Sequence, residues 1–531
     1  MDTKHVPVLI VGAGAAGVAT SALLAKHGVS SLLVEKRREI FVYPKARNLS
    51  FRSLEILRRL GLADEVHAVA DRVSDMVVKP TLNSAEEGMA IDIGAVFADL
   101  DELSPEPAAQ YCPQSSLEPM LLTETRRRGN EVRYGTELSS FEQDDSGVTA
   151  VLRDVDSGES TTVRADYLIA ADGVHSGIRA ALAITTSGHG ALPIFVVFIY
   201  FRAAWRTFVP HLSEGDAVQV KNADVDGIFL VAKDDLGMFI TTYFPGRGET
   251  AAQFTPQYCR DVLTKAVGER IDFEIIEVAA WQPYEQVADQ FDCGRVLLVG
   301  DCAHTMPPFK AGGANTAIQS ADNLAWKLAA VLKGCAGPAL LATYHAERHP
   351  VGRFAARQSL TGPTVGLLRL EDEGPGLPPD EEASMFSLLI GYQYRSAAIV
   401  FDYPAAGDPD AVSLVDELRG QPGTRVPHVW VRDRGRRVST LNLLGSDFTL
   451  FTGDDGAPWM TAAKAVSAAL GVPIEVHRID TEGAWAQVTG LGPAGALLVR
   501  PDDFIGWRTD RLPVDPEGEL RQAMSAILAR S

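Results

Sequence analysis

The chain has 531 residues, 46% of them hydrophobic and 22% charged, which supplies apolar surface for several packed cores and excludes a disordered polymer. With 49 Lys and Arg against 69 Asp and Glu, the formal net charge is −20, and such a field repels nucleic acid and anionic lipid unless a basic patch overrides it. The short clusters Lys36-Arg37-Arg38 and Arg126-Arg127-Arg128 read as solvated turn and helix faces. Five cysteines without CxxC spacing argue against a disulfide framework or structural zinc site and for a reducing cytoplasm.

The first pattern is also the clearest. Val6 to Val11 is a continuous apolar run of strand length, and Ala-rich helical sequence follows it to His27, with Gly28 as the expected cap. Ser31 to Val34 is a second strand, ending at Glu35. Together they spell a βαβ unit. Residues 44–61 are mostly helical, with Leu54, Leu57 and Leu60 on one face; residues 62–100 are acidic and weakly periodic. A helix is expected at Leu117–Arg128, then three short β-type runs leading to Tyr167–Ala170. From Ala191 to Trp281 apolar and polar residues alternate, as in an inserted antiparallel sheet. Its most apolar run, Leu192 to Phe201, contains Pro193 and is far shorter than the roughly 20 residues of a membrane helix. Arg295 to Val299 is again a fully apolar strand, and a long helix is expected over Asn315–Lys333. Two Pro-rich stretches, 374–380 and 402–410, precede a cysteine-free tail that reads as a separate small α/β domain.

Two segments match GxGxxG. Gly490-Leu491-Gly492-Pro493-Ala494-Gly495 contains a proline and runs into a strand, so it presents no helix N-terminus to a phosphate. Gly12-Ala13-Gly14-Ala15-Ala16-Gly17 lies between a strand and a helix, with Glu35 about 20 residues on, which is the dinucleotide fingerprint. There Gly12 makes the tight turn, Gly14 admits a pyrophosphate, Gly17 lets helix and strand pack closely, and Glu35 accepts ribose hydroxyls.

Two further strand ends carry an acid beside glycine: Ala170-Ala171-Asp172-Gly173, and Val299-Gly300-Asp301 with Cys302 and His304 just beyond. With these three motifs in order the chain resembles the FAD-dependent aromatic hydroxylases, single-component flavoprotein monooxygenases of the para-hydroxybenzoate hydroxylase fold. The resemblance implies non-covalent FAD, with Asp172 near FAD and the nicotinamide cofactor, and Gly300 and Asp301 at the ribityl and pyrophosphate portion. It also implies cofactor contacts from Ala15, Ala16 and Lys36 around the first motif, from Arg47 in Pro44 to Leu57, and from Gln114 in Pro113-Gln114-Ser115-Ser116-Leu117. Tyr344, Glu347, Arg348 and Pro350 fit the family's YxxERxP ending of the FAD domain, with Arg348 more in keeping with a structural ion pair. In the flavin loop the family's PPxGGxGxN becomes Pro307-Pro308-Phe309-Lys310-Ala311-Gly312-Gly313-Ala314-Asn315. Pro308, Gly312, Gly313, Ala314 and Asn315 keep their expected role, while Lys310 and Ala311 replace a glycine pair. Lys310 therefore brings either a cation to the flavin loop or a solvated lysine.

In the tail, Gly423 to His428, Leu441 to Gly445 and Gly495 to Arg508 resemble the thioredoxin-like C-terminal domain of phenol hydroxylases and of the aromatic polyketide hydroxylases related to aklavinone 11-hydroxylase. Without cysteines it has no thiol redox chemistry, so packing or oligomerisation is its expected role. The expected fold is thus α/β: a Rossmann-like FAD-binding domain (1–75, 103–182, 283–400), an inserted, mainly antiparallel substrate-binding sheet (76–102, 183–282), a linker (401–422) and the thioredoxin-like domain (423–531).

The activity implied is a monooxygenase that uses NADPH or NADH and O₂ to hydroxylate a phenolic or polycyclic aromatic polyketide through a flavin C4a-hydroperoxide. The alternatives are Baeyer–Villiger or rearranging oxygenation of a polyketide, and a flavin-binding protein without turnover; a halogenase is disfavoured by the lack of a WxWxIP segment. No catalytic base is identified. Tyr200, Arg202 and Tyr243, with Trp205, lie in the expected substrate sheet and are substrate-side candidates whose simpler reading is packing or surface. His304 reads as a structural hydrogen-bonding residue and Cys302 as a small buried filler. No metal, nucleic acid or membrane partner is expected, and the chain is expected to be a cytoplasmic monomer or homodimer. Because FAD and NAD(P)H are anions, local cations such as Arg47 and aligned helix N-termini must overcome the net negative field.

Overall fold

The computed structural model describes residues 4–530, apart from 41–47, 73–75, 93, 213–215, 232–234, 309, 311, 362–380, 403–407, 409, 434 and 481–482. Its first sheet places Lys4–Val11 at the centre, with Ser31–Glu35 on one side and Ser160–Ala170 on the other, both parallel to it. Glu131–Tyr134 extends the sheet beyond Ser31–Glu35, and Val296–Leu298 extends it beyond Ser160–Ala170. Val8, Leu9, Ile10, Leu32, Leu33, Leu168 and Ile169 are fully buried, as expected of parallel strands covered on both faces. The helices Ala15–Lys26, Gln114–Arg127 and Gly312–Leu332 pack side by side in this core, which also takes in Leu138, Phe141, Val148, Ala150 and Leu152 of an antiparallel hairpin. The chain leaves the central strand toward one neighbour and returns on the other side, so a crevice opens at the carboxyl ends of the strands.

All three glycine–acid turns sit at that crevice. Val11 pairs with Ala170, and Ala170 pairs with Leu298, so Gly12, Asp172 and Gly300 follow the last rungs of three adjacent strands. The antiparallel hairpin Thr136–Asp144 and Gly147–Asp154 adds to the edge through Ser160–Ala170.

The second sheet has seven strands in the order Glu274–Trp281, Phe195–Arg202, Leu236–Tyr243, Asp226–Val231, Ala217–Lys221, Met76–Lys79, Met89–Ile91. Every neighbouring pair is antiparallel except Ala217–Lys221 with Met76–Lys79. Its side chains alternate between faces. Val197, Ile199 and Phe201 join the cluster containing Cys259, Leu263 and Val267 of the helix Pro256–Val267, whereas Val196, Tyr200, Met238 and Ile240 face the other way. One face is thus sealed by its own helix and the other is left for a cavity.

The tail forms a four-stranded sheet in the order Ile474–Arg478, Phe448–Thr452, Ala496–Val499, Ile505–Thr509. The first pair is parallel and the rest antiparallel. With helices Ala457–Leu470 and Pro516–Ile527, this is the thioredoxin topology. The Gly490 motif behaves as its sequence indicates: Gly490, at φ 66°, closes the short helix Ala484–Thr489 and leads to the strand Ala496–Val499.

The tail is docked through buried charges as well as apolar packing. Arg500 pairs with Glu347 at 2.6 Å and with Asp502 at 2.5 Å, and Lys327 reaches Glu347 at 2.7 Å. Arg52 meets Asp503 at 2.6 Å, Arg59 meets Asp322 at 2.5 Å, and Arg425 meets Glu55 at 2.8 Å. All of these side chains are at most 4% exposed. No described helix is long and apolar enough to cross a membrane.

Candidate active site

A single cavity of about 2220 Å³ runs from the crevice of the first sheet to the open face of the second. At the crevice end, Gly12 has φ +107°, and a Cβ there would sit 2.2 Å from the Ala171 carbonyl oxygen. A Cβ on Gly17 would meet the Gly12 oxygen at 1.9 Å. These two glycines are required by the protein's own backbone. Gly14 differs, because the nearest protein atom to its Cβ position, Glu118 Oε1, lies 3.9 Å away. Gly14 also caps the helix Ala15–Lys26 without a side-chain hydrogen bond, so the helix N-terminus is open toward the cavity. A glycine with room beside it and an uncapped helix end fit a phosphate-bearing dinucleotide.

Glu35 lies across from this turn. Its Oε2 accepts the Ala13 N–H at 2.8 Å, and Oε1 accepts the Arg37 backbone N–H at 2.9 Å and Nε at 3.0 Å. Burial works against ionisation, but the hydrogen bonds from Arg37 and Ala13 outweigh it and hold the carboxyl below its usual range. The acceptor is therefore an anchored carboxylate. Lys36 lines the same end, as does Gln114, whose Nε2 donates to Glu118 at 2.5 Å.

The other two acid turns are built differently. Asp172 spends both oxygens locally, accepting Ser176 Oγ at 2.6 Å and the Ile178 N–H at 3.2 Å. Arg179 then donates to the Cys302 and Val174 carbonyls at 2.8 and 2.9 Å, tying the second turn to the third. Gly300, at φ +73°, packs where a Cβ would strike Ala16 Cβ at 2.5 Å. Asp301 is exposed at the cavity wall, and its carbonyl accepts Thr305 Oγ1 at 2.6 Å. Pro308, Gly312, Gly313 and Ala314 line the cavity at the start of the long helix.

Several expected site residues stand elsewhere. Gly17 and Asn315 are not part of the lining. Asn315 is 3% exposed and ties the long helix to the segment before the helix Phe51–Leu60: Oδ1 accepts from Ser50 N at 2.9 Å and Ser53 Oγ at 2.6 Å, and Nδ2 donates to the Asn48 carbonyl at 2.9 Å. Arg47 lies outside the described residues. Among the substrate-side candidates only Tyr200 lines the cavity. Arg202, at the far end of the same strand, is half exposed and pairs with Asp235 and Glu274. Tyr243 stacks on Phe195 at 4.9 Å and belongs to the cluster on the sealed face, and Trp205 is fully buried in that cluster. Alternation decides Tyr243, which lies on the face opposite Met238 and Ile240 of its strand, whereas Arg202 ends its strand and Trp205 lies in the short helix that follows.

The polar residues after the third turn are structural. His304 is fully buried with Nε2 3.1 Å from Ser320 Oγ, and burial with Arg348 nearby pushes its pKa down to about 3. It is neutral at physiological pH and not part of the lining. Cys302 donates its thiol to the Ala170 carbonyl at 2.9 Å, and burial raises its pKa. Arg348 is fully buried against Ser320 and Tyr394. The residues that sequence reasoning missed are apolar walls such as Phe198, Met238, Trp281 and Met385, which carry no chemical signature.

Comparison with known proteins identifies the family. Residues 5–359 match the family model of the FAD binding domain, and residues 419–531 match that of the aromatic-ring hydroxylase C-terminal region. The tetracenomycin A2 monooxygenase-dioxygenase of Streptomyces glaucescens is 38% identical, covering 100% of this chain and 98% of its own. The 4-methyl-5-nitrocatechol 5-monooxygenase of a Burkholderia species is 37% identical over 99% of this chain and 98% of its own. Among solved structures, the ternary complex of aklavinone-11 hydroxylase with FAD and aklavinone superposes with a TM-score of 0.87 at 33% identity, covering 100% of both chains. The chain belongs to the FAD-dependent aromatic-ring hydroxylases, flavoprotein monooxygenases that draw electrons from NAD(P)H.

Proposed function

We propose that this enzyme hydroxylates a phenolic, multi-ring aromatic of the polyketide type, with FAD at the crevice end of the cavity and the substrate against the open face of the second sheet. One observation carries the reading: a single chamber of about 2220 Å³ joins the two ends. A drug-sized ligand takes roughly 300–1,000 Å³, so there is room for a dinucleotide and a polycyclic ring system together. The relatives include enzymes named for tetracenomycin and for a nitrocatechol, and the size of the chamber favours the larger class.

Gly14, Ala15 and Ala16 would hold the pyrophosphate through the helix N-terminus, Glu35 the ribose, and Gly300, Asp301 and the loop at Pro308 and Gly312 the remainder. When bound, FAD supplies reduction by NAD(P)H and activation of O₂. The chain's own task is to orient the ring and exclude water, which the apolar wall of Phe198, Ile228, Met238 and Trp281 performs. Tyr200 is part of that wall. We infer a reducing cytoplasmic setting, since all five cysteines are free thiols.

The test is anaerobic reduction of the purified flavoprotein by NADPH or NADH, with and without naphthol- and anthracene-sized phenols. A multi-ring phenol should accelerate flavin reduction more than phenol itself. Equal rates with every aromatic and with none would contradict the assignment.

A further inference from the structure

The loop before the long helix carries a lysine in a conformation that disfavours side chains. Lys310 has φ 56°, the left-handed region in which glycine is at ease, and its position is one of the two where the resembling family has glycines. Its side chain is 10% exposed, and the residue lines the cavity. It donates to Thr361 Oγ1 at 2.5 Å and to Glu382 Oε1 at 2.8 Å. Glu382 lines the cavity too, together with Ser384 and Met385.

The wall segment bearing Glu382 is fixed independently of this pair. Gln358 Nε2 donates to the Glu381 carbonyl at 2.9 Å and Gln358 Oε1 accepts the Ala383 N–H at 2.9 Å. Arg357 pairs with Glu381 at 2.6 Å. The carboxylate is therefore presented by a held backbone. Among the described residues, two of the ammonium's three donors are taken, and Glu382 Oε2 has no partner. A donor and an acceptor thus stand side by side at the cavity wall, beside Thr361, whose neighbour Leu360 packs in the cluster of Tyr200, Met238 and Ile240 on the open face of the second sheet, where the lining is mostly apolar.

Resting on the function proposed above, we propose that Lys310 and Glu382 are specificity-determining residues that recognise two oxygens on adjacent ring atoms of the substrate. One oxygen accepts from the Lys310 ammonium, and the neighbouring hydroxyl donates to the Glu382 carboxylate. Vicinal ring oxygens lie about 2.7 Å apart, within the O–H···O range, so one edge of a ring can meet both members of a pair that is itself in contact through Oε1. Each bond has an ionised partner and so is among the stronger hydrogen bonds. An aromatic lacking the hydroxyl leaves the carboxylate facing an apolar ring, which is how a polar pair rejects the wrong ligand.

The experiment measures dissociation constants of 2,3-dihydroxynaphthalene and 2,3-dimethoxynaphthalene from perturbation of the flavin spectrum, in the wild-type holoenzyme, Glu382→Ala and Lys310→Gly. Lys310→Gly suits the left-handed backbone and keeps the loop. Wild type should prefer the diol by about tenfold or more. Glu382→Ala should narrow the preference to about threefold or less, with affinity for the dimethyl ether changing by no more than about twofold, whereas Lys310→Gly, which removes a donor to an oxygen that both probes carry, should weaken both by about threefold or more and leave the diol preferred. A preference retained in Glu382→Ala, affinities unchanged in Lys310→Gly, or a wild type that binds the two probes equally or neither, overturns the proposal. The underlying reading fails differently, as a protein that holds no FAD or shows no NAD(P)H-driven O₂ uptake.

Discussion

Gly14→Ala should yield a folded protein whose melting temperature is within about 2 °C of wild type and whose FAD affinity is at least tenfold weaker, whereas Gly17→Ala should fail to fold stably. The contrast follows from the room beside each glycine. At Gly14 the backbone is extended (φ −77°, ψ −179°), and no protein atom lies within 3.9 Å of the added Cβ. A methyl group there costs the apoprotein little and intrudes where the pyrophosphate meets the helix N-terminus. At Gly17 the Cβ would lie 1.9 Å from a backbone oxygen, a clash that helix and strand relieve only by moving apart, at a cost of several kcal/mol. Thermal unfolding with and without added FAD, and flavin content after purification, separate the two. A Gly14→Ala protein that retains stoichiometric flavin would remove this turn from the cofactor site.

The second large effect is expected at the junction with the tail. Arg500→Met removes the partner of Glu347 and Asp502 inside a network that is at most 4% exposed. Breaking a buried pair from one side costs about 3–5 kcal/mol, because the remaining charge is left without a partner. Lys327 still compensates Glu347 in part, so the lower end applies, and the expected outcome is a sharp fall in melting temperature with loss of flavin on warming. The network also sets an acid limit for the wild type. Burial works against ionisation of Glu347, but Arg500 and Lys327 outweigh it and hold its carboxyl below the usual range. A carboxyl depressed on folding contributes stability above its unfolded pKa of about 4.3, and this is lost as pH falls through the folded value. Unfolding monitored from pH 7 down to pH 3 should show stability falling below about pH 5. A variant with unchanged stability, or a wild type equally stable at pH 3 and pH 7, would contradict this role.

That network gives a physical reading of two sequence patterns that carried no chemistry of their own. Glu347 comes from the YxxERxP segment and Arg500 and Asp502 from the tail segment Arg500-Pro501-Asp502, and the structure joins them in one ion-paired cluster. The long helix shares the cluster through Asp322 and Lys327 and starts at the cavity wall with Gly312. The tail therefore braces the element that lines the proposed cofactor site, in keeping with a packing role.

The crevice half of the site was legible because its residues answer to backbone constraints. Gly12 needs a positive φ, the helix after Gly14 needs an open N-terminus, and Glu35 needs the end of the second strand; each leaves a mark at a fixed spacing. The substrate half was not legible, because its walls are β-type residues whose facing depends on a one-residue register. Tyr200 and Phe201 are neighbours, yet one lines the cavity and the other packs beneath the sheet. Asn315 shows a subtler limit. Its place at the start of the long helix was expected, but its side chain turns to Asn48, Ser50 and Ser53 rather than to the cavity.

The most direct test of the central claim is mass spectrometry of products formed from a multi-ring phenol by the purified holoenzyme with NAD(P)H under ¹⁸O₂. The structure predicts a product that has gained one labelled oxygen on an unbroken ring skeleton, formed only when NAD(P)H is present. Lactone formation, or no NAD(P)H-dependent incorporation of label, would contradict it.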